Sequence, residues 1–251
     1  MIVHKLGKKP AKIDARTLRL SKYLKAPLPA PPGPETSWVT HVKNWPMYLN
    51  DRLSDCVIAA MAHSEEQWET YANPIMKIPT DQDVLEAYEA VGGYRPDDPS
   101  TDQGCVMLDA MKYWRKTGIG DHKIDAFVSV DWTNLGEVKS AIWLFGNLMV
   151  GIELPLSAQG ADKWTVPDGG IYSPDGKPGS WGGHGTVVVA MSPITFTCIT
   201  WGQTLKLSHN FWLDYVSEAY ASISTDWIEK SGVSPGNLDL AALKADLAEL
   251  T

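Results

Sequence analysis

The spacing of hydrophobic positions along the chain changes near residue 120. Before that point apolar residues recur at helical intervals, and this pattern predicts three helices, over residues 56–71, about 81–91 and about 104–116. Beyond it, one further helix is predicted near residues 135–145. Short runs rich in Val, Ile and Thr predict five strands, at 126–130, 148–154, 186–190, 194–200 and 219–223. The sequence therefore predicts an α+β fold in which a helical half precedes a β half.

Two flanking segments differ in composition from this body. Residues 1–25 carry eight Lys or Arg against one Asp, a charge of +7, whereas the whole chain has a net charge of −8. Such a basic arm either reaches nucleic acid or another acidic surface, such as that of a protein partner, or lies on the acidic body of its own chain. Prolines over residues 26–37 predict an extended strap between the arm and the body. Residues 225–251 predict a helical tail that packs on the body.

We accordingly divide the chain into three parts. The arm and strap take residues 1–37, one domain takes residues 38–224, and the tail takes residues 225–251. Within the domain, residues 38–124 form the helical half and residues 125–224 form the β half. A chain of 251 residues with 44% hydrophobic content is long enough to bury a complete core.

Composition limits the cellular location that we expect for the protein and the classes of partner that it can bind. The N-terminus lacks the apolar stretch of a secretory signal, and no apolar run reaches the roughly 20 residues of a membrane span. Three cysteines cannot all pair, so we expect reduced thiols and a cytoplasmic protein. An isoelectric point near 5.2 argues against nucleic acid as the main partner. Because His and Cys never cluster at zinc spacing and no phosphate loop follows a strand, we predict no metal and no cofactor.

One cysteine and one histidine stand where nucleophilic chemistry would need them. Cys56 begins the first helical run, and His184 lies between a Gly-rich turn and a strand run 128 residues later. A thiolate is stabilised at a helix N-terminus, and an imidazole can take its proton, so the pair predicts a Cys-His dyad. The apolar neighbours of Cys105 and Cys198 predict core packing instead. His63 lies two helical turns from the nucleophile, too far for direct proton transfer.

Several local stretches share their order with one enzyme family. Asn50 stands six residues before Cys56, a Gly-led helical stretch begins at Gly104, and residues 200–203 read Thr-Trp-Gly-Gln. Together they resemble the papain-like cysteine peptidases over roughly residues 44–224, and more weakly some bacterial and phage-encoded relatives. The resemblance implies a two-lobed fold, with a helical lobe, then an antiparallel β-sheet or barrel lobe, and a cleft between them.

The resemblance also implies roles for individual residues. Cys56 would be the nucleophile and His184 the base, and the Asn50 amide would bind the oxyanion together with a backbone N–H. The implied substrate is a peptide or another amide, cleaved through an acyl-enzyme thioester. Three residues would border the substrate cleft, namely Gly104, Trp181 and Trp201.

The sequence departs from the family pattern at the group that orients the imidazole. The family's Asn falls at Ile199, which cannot hydrogen-bond an imidazole. Thr200 is adjacent, but strand alternation predicts that it faces the other side. Gln203 or Asp214 reaches the ring only if the local backbone allows it. Thr200 and Gln203 are therefore the candidate orienters. Asp55, directly before the nucleophile, would raise the pKa of the thiol if its carboxylate pointed inward.

Three functions follow from these observations. The first is a hydrolase, a peptidase or amidase. The second is a catalytically inactive papain-fold binding or structural module, in a phage or secretion-associated assembly, which Ile199 and the basic arm favour. The third passes the acyl group to an amine instead of water. Reaction of Cys56 with an electrophilic probe separates the first two, and product analysis with added amines separates the third.

Overall fold

The computed structural model describes residues 4–23, 30–72 and 77–224, together with Trp227, Ala245 and Asp246. The helices of this part of the chain are α1 (Cys56–Ala72), α2 (Asp81–Gly92), α3 (Met107–Lys116), α4 (Leu135–Phe145) and α5 (His209–Tyr215). Its strands are β1 (Thr36–Ser37), β2 (Ala126–Ser129), β3 (Leu148–Leu154), β4 (Lys163–Trp164), β5 (Gly182–Met191), β6 (Thr195–Thr200), β7 (Gln203–Ser208) and β8 (Val216–Ile223). The prediction of a mixed α+β fold is confirmed.

Local capping explains why two predicted helices begin where the sequence suggests. The Thr80 side chain accepts the N–H of Asp83, whose carboxylate accepts the Thr80 N–H, so α2 starts with a reciprocal capping box. Helix α2 ends at Gly93, which adopts a left-handed conformation (φ 73°). At the start of α4, the Asn134 side chain accepts two backbone N–H groups of the first turn.

Helix α3 begins three residues later than predicted. Gly104 has φ 70°, outside the helical region, and the backbone of Cys105 pairs with the N-terminal segment instead of entering the helix. The helix therefore starts at Met107. The extended stretch before it lies along the cleft that is described below.

The strands form one open sheet in the order β2-β8-β3-β5-β6-β7-β4, with β1 pairing with β5. All pairs are antiparallel except β4 with β7. Three strands begin at other residues than predicted, since β5 begins at Gly182, β6 at Thr195 and β8 at Val216. Two strands end one residue away from the predicted position, β2 at Ser129 and β5 at Met191. Strands β1, β4 and β7 and helix α5 are additions to the sequence prediction.

The sheet lies between two hydrophobic cores. Along β5, Val187 and Val189 pack into a core that contains the apolar faces of α1, α2 and α3. Val188 points the other way, into a core formed with α4 and α5. Burial on both faces explains the continuous Val run in this strand. The first residues of β5 extend to the place where the start of α1 meets the sheet.

Parts of the sequence prediction remain untested. The tail over 225–251 lies outside the described residues except for three positions, of which Trp227 donates its indole N–H to the Leu144 carbonyl at 3.0 Å. The domain bounds at 38, 124 and 224 also stay predictions. Within the described ranges, no helix is long and apolar enough to cross a bilayer.

Candidate active site

The predicted nucleophile lies at the junction between α1 and the sheet. Cys56 is the first residue of α1, with 1% of its surface exposed. The Gly185 N–H donates to its Sγ at 3.2 Å. Since Gly185 follows His184 directly, the thiol lies beside the strand segment that carries the predicted base.

Glycine at position 185 allows this close approach. A Cβ there would lie 2.7 Å from Cγ2 and 2.9 Å from Cα of Val57, the second residue of α1. Any side chain would therefore push the start of α1 away from β5. The absence of a side chain brings the thiol within reach of the strand backbone.

We predict that Gly185→Ala destabilises the fold by about 1–3 kcal/mol, the usual cost of an overpacked core. Urea unfolding measures it, and Gly33→Ala is the control, because the nearest heavy atom to a Cβ at residue 33 is 4.0 Å away. Neither glycine has a positive φ, so the comparison isolates crowding from backbone strain. Equal stability of the two variants would contradict the account of this contact.

The imidazole of His184 is buried among aromatic rings. It stacks on Trp201 with ring centroids 4.4 Å apart, and the edge of Trp164 packs at 6.3 Å. Burial, with a smaller contribution from His4, lowers the pKa of His184 to about 3. Its Nδ1 is buried without a hydrogen-bond partner among the described residues. The ring therefore has one nitrogen free for chemistry.

The other ring nitrogen meets a hydroxyl group. Nε2 of His184 lies 2.6 Å from Oγ1 of Thr200. Strand alternation does place Thr200 opposite Ile199, but the imidazole lies on the Thr200 side. Ile199 pairs with Val187 and packs in the core that contains α1. The expectation that Thr200 faces away from the ring is thus corrected by the register of β5 and β6.

The N-terminal segment of the chain runs across this site. The N–H groups of Gly7 and Lys8 both donate to the Gly183 carbonyl, at 3.2 and 3.0 Å. On the opposite side, Cys105 donates its N–H to the Gly7 carbonyl and accepts the Lys9 N–H, both at 2.9 Å. Residues 4–9, which we call the cleft segment, therefore connect two walls of the site, one at Gly183 and one at Cys105, through backbone hydrogen bonds.

Side chains of the cleft segment reinforce this position. His4 stacks on the face of Trp201 at 4.3 Å, and the Lys5 carbonyl accepts the Trp201 indole N–H at 3.0 Å. The Lys8 side chain is fully buried, with its Nζ 2.7 Å from Glu153 and 3.3 Å from Glu218. The arm therefore lies partly on its own chain, one of the two alternatives that its charge suggests.

Two wall glycines make room for the cleft segment. A Cβ at Gly104 would lie 1.8 Å from the Gly7 carbonyl oxygen, and a Cβ at Gly183 would lie 2.2 Å from the Lys8 carbonyl oxygen. Both distances are far below van der Waals contact. Gly104, predicted as a cleft residue, therefore contacts this segment directly.

Comparisons with known proteins bear on the architecture. No protein-family model matches the sequence, and no curated protein matches it either. Among solved structures, xylellain, a cysteine protease from Xylella fastidiosa, has a TM-score of 0.67 at 11% identity, over 90% of this chain and 98% of xylellain. Procathepsin L 3 of the Tenebrio molitor larval midgut has a TM-score of 0.58 at 9% identity, over 88% of this chain and 77% of its own. Procathepsin B S9 from Trypanosoma congolense has a TM-score of 0.58 at 12% identity, over 88% and 86%.

The chain has the papain-like fold. The likeness extends over nearly all of xylellain, so the shared architecture includes both the helical and the β half. The resemblance that the sequence suggests is therefore confirmed at the level of fold.

Asn50 is buried just before α1, with its amide engaged inside the loop. Its Nδ2 donates to the Leu53 carbonyl and to Oδ1 of Asp55, both at 3.1 Å. Both N–H bonds of the amide are thus used in the resting structure. Burial raises the pKa of Asp55 well above its usual value, and the Asn50 bond opposes that shift.

The surroundings of Cys56 favour the neutral thiol over the thiolate. Burial, with a smaller contribution from the carboxylate of Asp55, raises the pKa of Cys56 to about 12. The N–H groups of Gly185 and Gly7 and the Lys8 charge act in the opposite direction, with smaller effect. Near pH 7 the closed site therefore holds a neutral thiol beside a neutral imidazole.

The remaining predicted residues have different surroundings. Trp181 packs beside Trp201 at 5.7 Å, at the border of the site. Gln203 is exposed at the start of β7, and Asp214 is exposed in α5. His63 is buried with its Nε2 2.8 Å from the Pro46 carbonyl oxygen, a structural contact. The other two cysteines, Cys105 and Cys198, are buried as well.

Sequence reasoning missed the cleft segment and the two carboxylates that hold its lysine. A usable signal was present, since Glu153 stands inside the apolar strand β3, where a charged residue is unusual. Across the described ranges, no group of three or more His, Cys, Asp or Glu residues could hold a metal ion.

Proposed function

We propose that this chain is a cysteine-nucleophile hydrolase that cleaves peptide or amide bonds once the cleft segment has left. The main support is the set of contacts at the helix-sheet junction, where Cys56 at the start of α1 touches the residue after His184. Thr200 fixes one nitrogen of that imidazole, and the other has no hydrogen-bond partner among the described residues. The papain-like fold, shared with cysteine proteases, is a second support.

The reaction follows from the free nitrogen. With Nε2–H donating to the Thr200 hydroxyl, Nδ1 of His184 carries a lone pair and takes the proton of the Cys56 thiol. The thiolate attacks the carbonyl carbon of the substrate, and the imidazolium returns the proton to the leaving amine. Water, deprotonated by the same imidazole, then attacks the thioester and releases the acid.

The developing oxyanion needs donors near the attacked carbonyl. The backbone N–H of Cys56, in the first turn of α1, is one candidate. The Asn50 amide is the second, and it serves only by exchanging its bond to the Leu53 carbonyl for the oxyanion. The bond to Asp55 would meanwhile keep the amide in place.

The cleft segment occupies the site and closes it to a substrate. It uses the backbone of Gly183 and Cys105 on the two sides of the site, and its Gly7 N–H acts on the Cys56 thiol, which is 1% exposed. The substitution Lys8→Glu places a negative charge against Glu153 and Glu218 and should drive the cleft segment out of the site. We call the chain with this substitution the released variant. Activity is expected in the released variant and not in the resting chain.

The proposed hydrolase activity is tested on a library of peptides with many different sequences. The released variant is incubated with a peptide library prepared by chymotrypsin from a whole proteome, and new peptide ends are identified by mass spectrometry. We expect new ends that are absent when Cys56→Ala is added. An unchanged library would contradict the proposal. Added amines reveal whether the acyl group goes to water or to nitrogen.

The orienting role of Thr200 gives a separate prediction. In the released variant, Thr200→Val should lower kcat by roughly 10- to 100-fold with little change in KM, because it removes the acceptor that fixes the imidazole tautomer. Thr200→Ser keeps the hydroxyl and should retain most of the turnover. Equal kcat values for the Val and Ser variants would exclude the role.

A second candidate is an inactive binding module. The closed cleft and the raised pKa of Cys56 favour it, because neither helps catalysis in the state described. Under this alternative, Cys56 in the released variant would react with electrophiles no faster than the buried Cys105 and Cys198. The same labelling experiment thus separates the two candidates.

A further inference from the structure

The Lys8 side chain fills a pocket between two neighbouring strands. Its Nζ donates to Oε1 of Glu153 on β3 at 2.7 Å and forms an ion pair with Oε1 of Glu218 on β8 at 3.3 Å. Ser217 donates to Glu153 at 3.3 Å, and Tyr220 donates to Oε2 of Glu218 at 3.1 Å. The two carboxylates are therefore held in place by neighbouring side chains.

The pocket has the charge and the space for a long cationic side chain. Two carboxylates face one ammonium, and only 6% of the Glu218 side chain is exposed. Gly151 provides the space, because a Cβ at that position would lie 2.3 Å from Cε of Lys8. A neutral side chain in the pocket would leave a buried carboxylate without a counter-charge, and an acidic one would add repulsion.

A peptide bound like the cleft segment would place one side chain in this pocket, next to the residue that contacts the thiol. The segment is held by the backbone groups of Gly183 and Cys105, which bind main chain and so accept any sequence. Gly7, whose N–H acts on the Cys56 thiol, directly precedes Lys8. A bound peptide in the same register therefore presents one side chain to Glu153 and Glu218.

We propose that this pocket selects substrates by a lysine or arginine side chain, placed where Lys8 lies in the resting chain. The proposal rests on the proposed hydrolase function. The chain's own lysine then occupies the specificity pocket of its own cleft, and a basic substrate and the cleft segment compete for the same two carboxylates.

Binding is tested apart from turnover. Dye-labelled hexapeptides with the sequence of residues 4–9 are titrated, by fluorescence anisotropy, against the full chain that carries Lys8→Glu and Cys56→Ala. The peptides differ only at the Lys8 position, which holds lysine, arginine, norleucine or glutamate. We expect lysine and arginine peptides to bind at least about tenfold more tightly than norleucine, and the glutamate peptide to bind most weakly.

Variants of the pocket provide the matched controls. Adding Glu153→Gln should reduce the preference for lysine over norleucine to less than about threefold. Glu153 is the safer substitution for folding, since a third of its side chain is exposed. Glu86→Gln, on the exposed side of α2, should leave the preference unchanged. If Lys8→Glu prevents folding, Lys8→Met serves as the releasing substitution.

The outcomes separate the pocket from the reaction. Equal binding of lysine and norleucine peptides, or no binding of any peptide, would overturn the pocket. The same peptides are then given to the released variant with Cys56 intact. Selective binding without cleavage would support the pocket and contradict the hydrolase, whereas cleavage without preference would support the hydrolase and overturn the pocket.

Discussion

Replacing Lys8 with glutamate is expected to raise the rate at which iodoacetamide alkylates Cys56 at pH 7 by about 30- to 60-fold. Burial raises the pKa of this thiol from 9.0 to about 12, and we expect departure of the cleft segment to expose the thiol to water. Each pKa unit corresponds to a tenfold change in thiolate fraction. The full thousandfold is not expected, because the nucleophilicity of a thiolate falls with its pKa. Mass spectrometry of the peptide that contains Cys56 measures the rate.

The pH dependence of alkylation shows whether the substitution lowers the pKa of the Cys56 thiol. In the resting chain the rate should keep rising up to about pH 12, whereas in the released variant it should level off at lower pH. Lys12→Glu is the matched control, since Lys12 lies in the same arm but pairs with Asp109 at the surface. A Lys8→Glu chain labelled as slowly as the Lys12→Glu chain would show that the segment does not control the thiol.

Removal of the imidazole should have the largest effect on turnover. In the released variant, His184→Ala is expected to lower kcat/KM by about 10²- to 10⁴-fold, the usual contribution of a general base. The other buried imidazole near α1, that of His63, is engaged with the Pro46 carbonyl, so it offers no replacement base. Initial rates on one cleaved peptide measure the loss.

The control for this substitution is another buried histidine. His63→Gln preserves a donor for the Pro46 carbonyl and should keep kcat/KM within about threefold of the released variant. Alkylation of Cys56 should also slow in the His184→Ala chain, since no base remains to take the proton. A His184→Ala chain that retains its turnover would remove this residue from the mechanism.

Local signals predict most of the bounds of three helices. Helix α4 was predicted over its observed residues, and the bounds of α1 and α2 were predicted to within one residue, because caps and apolar spacing are local properties. Strand β7 was missed although Leu205 and Leu207 alternate with polar residues. The shift in the start of α3 had no local cause, since it depends on pairing between Cys105 and a segment nearly 100 residues away.

The candidate site was predictable only in part. Cys56 and His184 could be proposed because a helix start and a strand start are visible in the sequence. The side of β6 that meets the imidazole could not, because it depends on the pairing of Val187 with Ile199. The ion pairs of Lys8 with Glu153 and Glu218 join residues more than 140 positions apart, which no local pattern reveals.

The most direct test of the proposed hydrolase is detection of an acyl group on Cys56. The released variant is mixed with a peptide that it cleaves, quenched in acid within a turnover and digested for mass spectrometry. The account predicts that the Cys56 peptide gains the mass of the substrate minus its leaving amine. The adduct should be absent from the Cys56→Ala chain. Cleavage without any adduct, or an acyl group on Cys105 instead, would contradict it.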